Sequence, residues 1–126
     1  SFSGLKTAVV TYVRRHHEIG DLPPMSDVAA AVQEAIVDVL VTKTMNAVDR
    51  TGVAAVAGGG GVLANRRLRH RLAEACADRG VALFLPSPAL CTDNAAMVAA
   101  AADFRLRRGE RTPADAEVDP SLRLGS

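Results

Sequence analysis

The stretch VAGGGGVLANRRLRHRL, residues 56–72, sets four consecutive glycines between a short valine-alanine run and an arginine-rich helical pattern. Glycine costs roughly 0.5–1 kcal/mol relative to alanine inside regular structure, so a run of four marks a place where the backbone approaches another group closely. Strand, glycines and helix start together can aim backbone N–H groups at a phosphate or ribose, with the positive end of a helix behind them. The stretch lacks the Lys-Ser/Thr that ends a P-loop, and it lacks the GxGxxG spacing of a dinucleotide fingerprint. Glycine content alone therefore leaves nucleotide binding and a tight structural turn both open.

Working outward, VAAVA at 53–57 reads as a short buried strand and VALFLP at 81–86 as a second, stopped by proline. Between them a helix runs from about Asn65 to Arg79 and ends at Gly80, with Leu68 and Leu72 facing inward. Upstream, Leu5, Val9, Tyr12 and Val13 fall at helical spacing, and Gly20 with Pro23 and Pro24 closes that segment. Ser26 is then the expected N-cap of a long helix in which Val28, Val32, Ile36, Val39 and Leu40 recur, ended by Gly52. Gln33, Lys43, Asn46 and Asp49 fall between the apolar positions, and Glu34 and Asp38 form an acidic pair four residues apart. Downstream, Thr92 is expected to cap a last helix, DNAAMVAAAADFRLRR, ended by Gly109. Strand, helix, strand, helix with short connections predicts an α/β layer with parallel strands. The polar, Pro-containing residues 111–126 read as an extended tail after a domain at 1–110.

The composition excludes several function classes. Fifteen basic against fourteen acidic residues leave a net charge of +1 over 126 residues, so no global field draws the chain onto nucleic acid. One Tyr, three Phe and no Trp weigh against a stacking platform for single strands. No stretch approaches the roughly 18 uninterrupted apolar residues of a spanning helix. Residues 1–20 carry Arg14, Arg15, His16 and His17 after their apolar part and no small-residue cleavage pattern, so neither membrane association nor a signal peptide is expected. Cys76 and Cys91 have no CxxC spacing and are expected to be reduced thiols, with no zinc site between them.

Four ordered segments carry a sharper signal: SFSGLKTAV at 1–9, VQEAIVDVLVTKT at 32–44, GGVLANRRLRHRL at 60–72 and CTDNAAMVA at 91–99. Together they resemble the C-terminal half of the tRNA adenosine threonylcarbamoyltransferase family, whose members once carried the name O-sialoglycoprotein endopeptidase. The resemblance covers nearly the whole chain. It implies the second lobe of an actin-like ATPase (ribonuclease H-like) fold, in which two α/β lobes close on a nucleotide. Carried over by position, Gly60 and Gly61 approach the nucleotide with their backbone and Asn65 hydrogen-bonds the adenylate, a role suited to an amide with both donors and an acceptor. Gly58 and Gly59 depart from the Val or Ala with which such proteins usually end this strand. Asp93 resembles the carboxylate that completes a divalent-metal site, iron or zinc, whose other protein ligands are two histidines of an HxxxH helix.

That helix and the phosphate-binding turn belong to the first lobe and do not occur among residues 1–126, so the chain reads as a fragment, inactive by itself. The complete enzyme implied by the resemblance is cytoplasmic. It takes ATP or an adenylate as ligand, transfers a threonylcarbamoyl group from threonylcarbamoyl-adenylate to N6 of the adenosine next to the tRNA anticodon, and works with partner proteins of a threonylcarbamoylation complex. Self-association of the fragment through its uncovered apolar face is also expected. The rival readings are a noncatalytic interaction module of the same fold and a sugar-kinase-like ATP-binding lobe, which shares the glycine turn but needs no Asp93.

Simpler roles are available for each singled-out residue. Asp93 in a helical first turn would be favoured there by the dipole, and Asn65 can serve as an N-cap. HHEIGD at 16–21 is no HExxH metalloprotease motif, because Asp21 stands where the second histidine belongs and Gly20 breaks the helix. Arg66, Arg67, Arg69 and Arg71 spread around their helix and read as a solvated surface rather than a tRNA contact. Cys91 reads as a small packed residue, with no positioned base to make it a nucleophile.

Overall fold

A computed structural model describes residues 2–113, 115 and 116. The chain forms two compact units, Ser1–Thr92 and Asp93–Ser126. The first holds α1 (Phe2–Glu18), α2 (Met25–Thr51), β1 (Ala55–Ala57), α3 (Arg66–Ala77) and β2 (Ala82–Phe84); the second holds α4 (Ala95–Arg107). Short 3-10 turns at Gly61–Ala64 and Pro88–Leu90 follow the two strands. Residues 111–113 form neither helix nor strand, and most of the expected tail lies outside the described residues.

β1 and β2 pair in parallel, Ala55 with Ala82, Val56 with Leu83 and Ala57 with Phe84. A parallel pair needs a crossover, and α3 supplies it. The strands are shorter and less buried than the sequence predicts. Only the central residue of each is half-buried, because side chains alternate between faces and a two-stranded sheet has one face on the core. Val56 and Leu83 pack on that core, whereas Phe84 is 63% exposed.

The core of the first unit lies between α2 and α3. Val37, Val41, Met45 and Val48 line one stripe of α2, and Leu68, Leu72 and Cys76 recur every four residues on α3. Leu63 and Cys91 complete it from the connecting turns. Both cysteines are free and buried. Of the Val28, Val32, Ile36, Val39 and Leu40 series read from periodicity only Val28 is buried and Val39 is exposed, because α2 is apolar on two sides. Val32, Ile36 and Leu40 line an apolar cavity of about 450 Å³ with Val9, Val13 and Val62, Leu40 also packing against the core. α1 has no buried residue; Leu5, Val9 and Val13 are half-buried along one stripe.

Two helix starts differ from expectation. α2 begins at Met25 after Pro24, and Ser26 lies inside the first turn, donating to Asp27 Oδ1 at 3.3 Å rather than capping. The ring of Pro24 holds φ at −48°, and the helix starts two residues before the point a Ser26 cap would set. α4 is capped by Asn94, not Thr92: its backbone is extended, and Oδ1 accepts from Met97 N–H at 2.9 Å. Asn94 stands three residues before the donor it must satisfy, the spacing a cap requires. Gly52, Gly80 and Gly109 take positive φ just past the ends of α2, α3 and α4.

Candidate functional site

The glycine turn is built from the end of β1. Gly58 donates its N–H to Phe84 O at 3.0 Å, extending the pairing by one residue. A Cβ at Gly58 would stand 2.6 Å from Leu63 Cδ1 and 3.1 Å from Leu85 Cδ2, so glycine here lets the two leucines close over the strand end. That accounts for a glycine where a larger residue would be expected. Gly60 turns the chain at φ 94°, a conformation side-chain-bearing residues rarely adopt. Added Cβ atoms at Gly59, Gly60 and Gly61 would meet nothing within 4 Å. Their backbone faces open space, where a ligand can approach.

The turn then tightens. Leu63 N–H bonds to Gly60 O at 3.0 Å, Leu63 is buried beneath the turn, and the chain arrives at Asn65 with φ −68° and ψ 118°. Asn65 is the N-cap of α3: its Oδ1 accepts from Leu68 N–H at 3.0 Å. This bond orients the amide, because only the oxygen can accept. Nδ2 is thereby directed at α2, where it donates to Gln33 Oε1 at 2.9 Å. The capping role and the placement beside the open glycines coexist.

Arginines behind Asn65 fix α3 against the rest of the unit. Arg67 grips Glu34 through Nε to Oε1 and through Nη2 to Oε2 at 3.1 Å. Arg71 reaches Glu34 Oε2 at 3.3 Å and Asp38 Oδ1 at 2.9 Å. The Arg67 hydrogen bond holds the Glu34 carboxyl below its ordinary range against an opposing push from desolvation, with the charges of Arg67 and Arg71 adding to it. The same bond raises Arg67. Arg69 donates to Leu63 O at 3.2 Å and Pro86 O at 2.9 Å, tying the glycine turn to the loop after β2. The expected solvated arginine surface is thus corrected: Arg67, Arg69 and Arg71 are occupied within the chain, and only Arg66 among the four is exposed. The sequence signal for this contact is the matching spacing, Glu34 to Asp38 and Arg67 to Arg71, each four residues.

Gly60, Gly61 and Asn65 therefore share one turn, while Asp93 belongs to the second unit. Asp93 is exposed and lies one residue before the cap of α4, outside the first helical turn where a simple dipole role would put it. Among the described residues no group of three or more His, Cys, Asp or Glu side chains could hold a metal ion. Tight transition-metal sites use three or four protein ligands, so the donors among the described residues do not by themselves fit iron or zinc.

A family model for TsaD, tRNA N6-adenosine threonylcarbamoyltransferase, matches residues 1–100. The chain belongs to this family. Relatives of that name share 48% identity over 95% of the chain in Prosthecochloris aestuarii, 50% over 86% in Geobacter metallireducens and 52% over 86% in Verminephrobacter eiseniae. The chain spans about a third of their length, 35%, 32% and 31% respectively. The parallel strands joined through α3 are compatible with the family's α/β architecture. No helix among the described residues is long and apolar enough to cross a membrane.

Proposed function

We propose that this chain is the second, actin-like lobe of a cytoplasmic acyltransferase that moves a threonylcarbamoyl group from threonylcarbamoyl-adenylate to N6 of the adenosine beside the tRNA anticodon. The observation that carries the reading is the glycine turn within the family match, open at Gly59–Gly61 and closed by a hydrogen-bonded Asn65. In the transfer the adenosine N6 bonds to the carbamoyl carbon, the bond from that carbon to the phosphate oxygen breaks, AMP leaves and N6 loses a proton. Gly60 and Gly61 bring backbone to the adenylate without side-chain obstruction. Asn65 keeps one Nδ2 proton and one Oδ1 lone pair beyond its internal bonds, enough to hold the adenylate in register.

Asp93 would give one oxygen to an iron or zinc ion whose remaining ligands lie outside this chain, where the ion would supply Lewis-acid polarisation. Partner proteins of the threonylcarbamoylation complex complete the reading. The test is transfer by the full-length protein to tRNA, scored as modified nucleoside by mass spectrometry. Asn65→Ser keeps a capping oxygen but shortens the side chain, and should lower the yield at limiting adenylate. Wild-type failure to modify tRNA in the presence of the partner proteins would sink the proposal.

A further inference from the structure

Asn65 does not choose its orientation alone. Its amide is caught between two elements: Leu68 N–H on α3 takes Oδ1, and Gln33 Oε1 on α2 takes one Nδ2 proton. Without Gln33 the amide would still cap α3, yet its nitrogen end would be free to swing about the capping oxygen. We infer that Gln33 is a positioning residue for adenylate binding, aiming the second Nδ2 proton of Asn65 at the ligand; this rests on the assignment of Asn65 to the adenylate.

The geometry around Gln33 favours this role over a packing one. Gln33 is exposed, so it fills no space in the core; with Asn65 it lines the cavity whose apolar wall includes Val32 and Ile36, and its amide oxygen is the polar partner that Asn65 meets there. Glu34, the next residue, is gripped by Arg67 and Arg71, which holds α2 and α3 in the register that brings Gln33 within 2.9 Å of Asn65. The bond spans 32 positions of sequence. It is therefore a device of the tertiary fold rather than of local capping.

The experiment measures KM and kcat for threonylcarbamoyl-adenylate in the full-length protein at saturating tRNA. Gln33→Met keeps length and removes the acceptor; it should raise KM by about threefold to tenfold, the range of one net hydrogen bond, with kcat and melting temperature little changed. Gln33→Glu restores an acceptor oxygen and should recover most of the loss. In an Asn65→Ser background, Gln33→Met should have no further effect. If Asn65→Ser raises KM but Gln33→Met does not, the positioning role is wrong and the assignment of Asn65 stands. If Asn65→Ser leaves KM unchanged, both fall. A Gln33→Met loss that persists in the Asn65→Ser background, or that Gln33→Glu fails to relieve, would also overturn the role.

Discussion

Arg67 and Glu34, 33 positions apart in the chain, meet through both carboxylate oxygens and lock α3 onto α2. The contact sits one turn of α2 ahead of the Arg71–Asp38 pair. Because the Arg67 hydrogen bond lowers the Glu34 pKa in the folded chain, the unfolded chain binds a proton at Glu34 more readily as pH falls. The stability this contributes is complete above the ordinary value of 4.5 and is lost as pH drops through the lowered one. Thermal melts should therefore show a wild-type decline below pH 4.5 that is shallower in Glu34→Gln. Parallel pH profiles would contradict the linkage.

Two adjacent glycines should respond oppositely to alanine. Gly58→Ala places a methyl against Leu63 and Leu85, and overpacking of this kind costs about 1–3 kcal/mol. Gly59→Ala meets no atom within 4 Å and has no positive φ to strain it, so it should be neutral or stabilise by about 0.4–1 kcal/mol through the unfolded chain. Urea unfolding of both variants checks the contrast, and equal stabilities would disprove the packing account of the strand end.

The cap at Asn65 gives a separate stability prediction. Asn65→Ala removes the acceptor from Leu68 N–H and should cost about 1 kcal/mol, whereas Asn65→Ser should recover most of it. Equal losses in the two variants would mean that the Gln33 bond, which both lose, governs stability at this turn.

The parts of this fold legible in sequence are those whose chemistry is local. Gly52, Gly80 and Gly109 announce helix ends because positive φ favours glycine, and Asn65 announces a helix start because its partner is three residues away. Cap positions are ambiguous in sequence where several competent residues compete: Thr92 and Asn94 can each accept, and the extended backbone at 94 decides. At α2 a proline starts the helix before Ser26 can cap it. The burial of α2 was ambiguous for a different reason, since apolar residues on two sides cannot announce which side meets α3. Gln33 is illegible as a site-forming residue because its partner lies more than 30 positions away; Glu34 is legible only when its four-residue spacing to Asp38 is set against that of Arg67 to Arg71, more than 30 positions on.

The apolar cavities between α1 and α2 bear on association. Val9, Val32, Ile36, Leu40 and Val62 line adjoining openings, and contiguous apolar surface of this kind favours contact with another molecule. Sedimentation of this chain should show self-association that rises with concentration and is reduced by Val9→Asp, a change on the half-buried stripe of α1 rather than in the core. A monomer at all concentrations would refute it.

Asp93→Asn separates a metal ligand from a structural carboxylate. Asp93 is exposed and precedes the cap, while Asn94 satisfies Met97 N–H by itself, so loss of the charge leaves the start of α4 intact. The melting temperature of this chain should then change little, since a charge near a helix N-terminus contributes only about 0.3–1 kcal/mol. In the full-length protein the neutral amide is a much poorer ligand for iron or zinc than a carboxylate. Metal content and transfer to tRNA should fall together there. Metal analysis alongside nucleoside analysis distinguishes the cases: normal metal occupancy with normal transfer would remove Asp93 from the ligand set, whereas normal occupancy with lost transfer would assign its charge to the substrates instead.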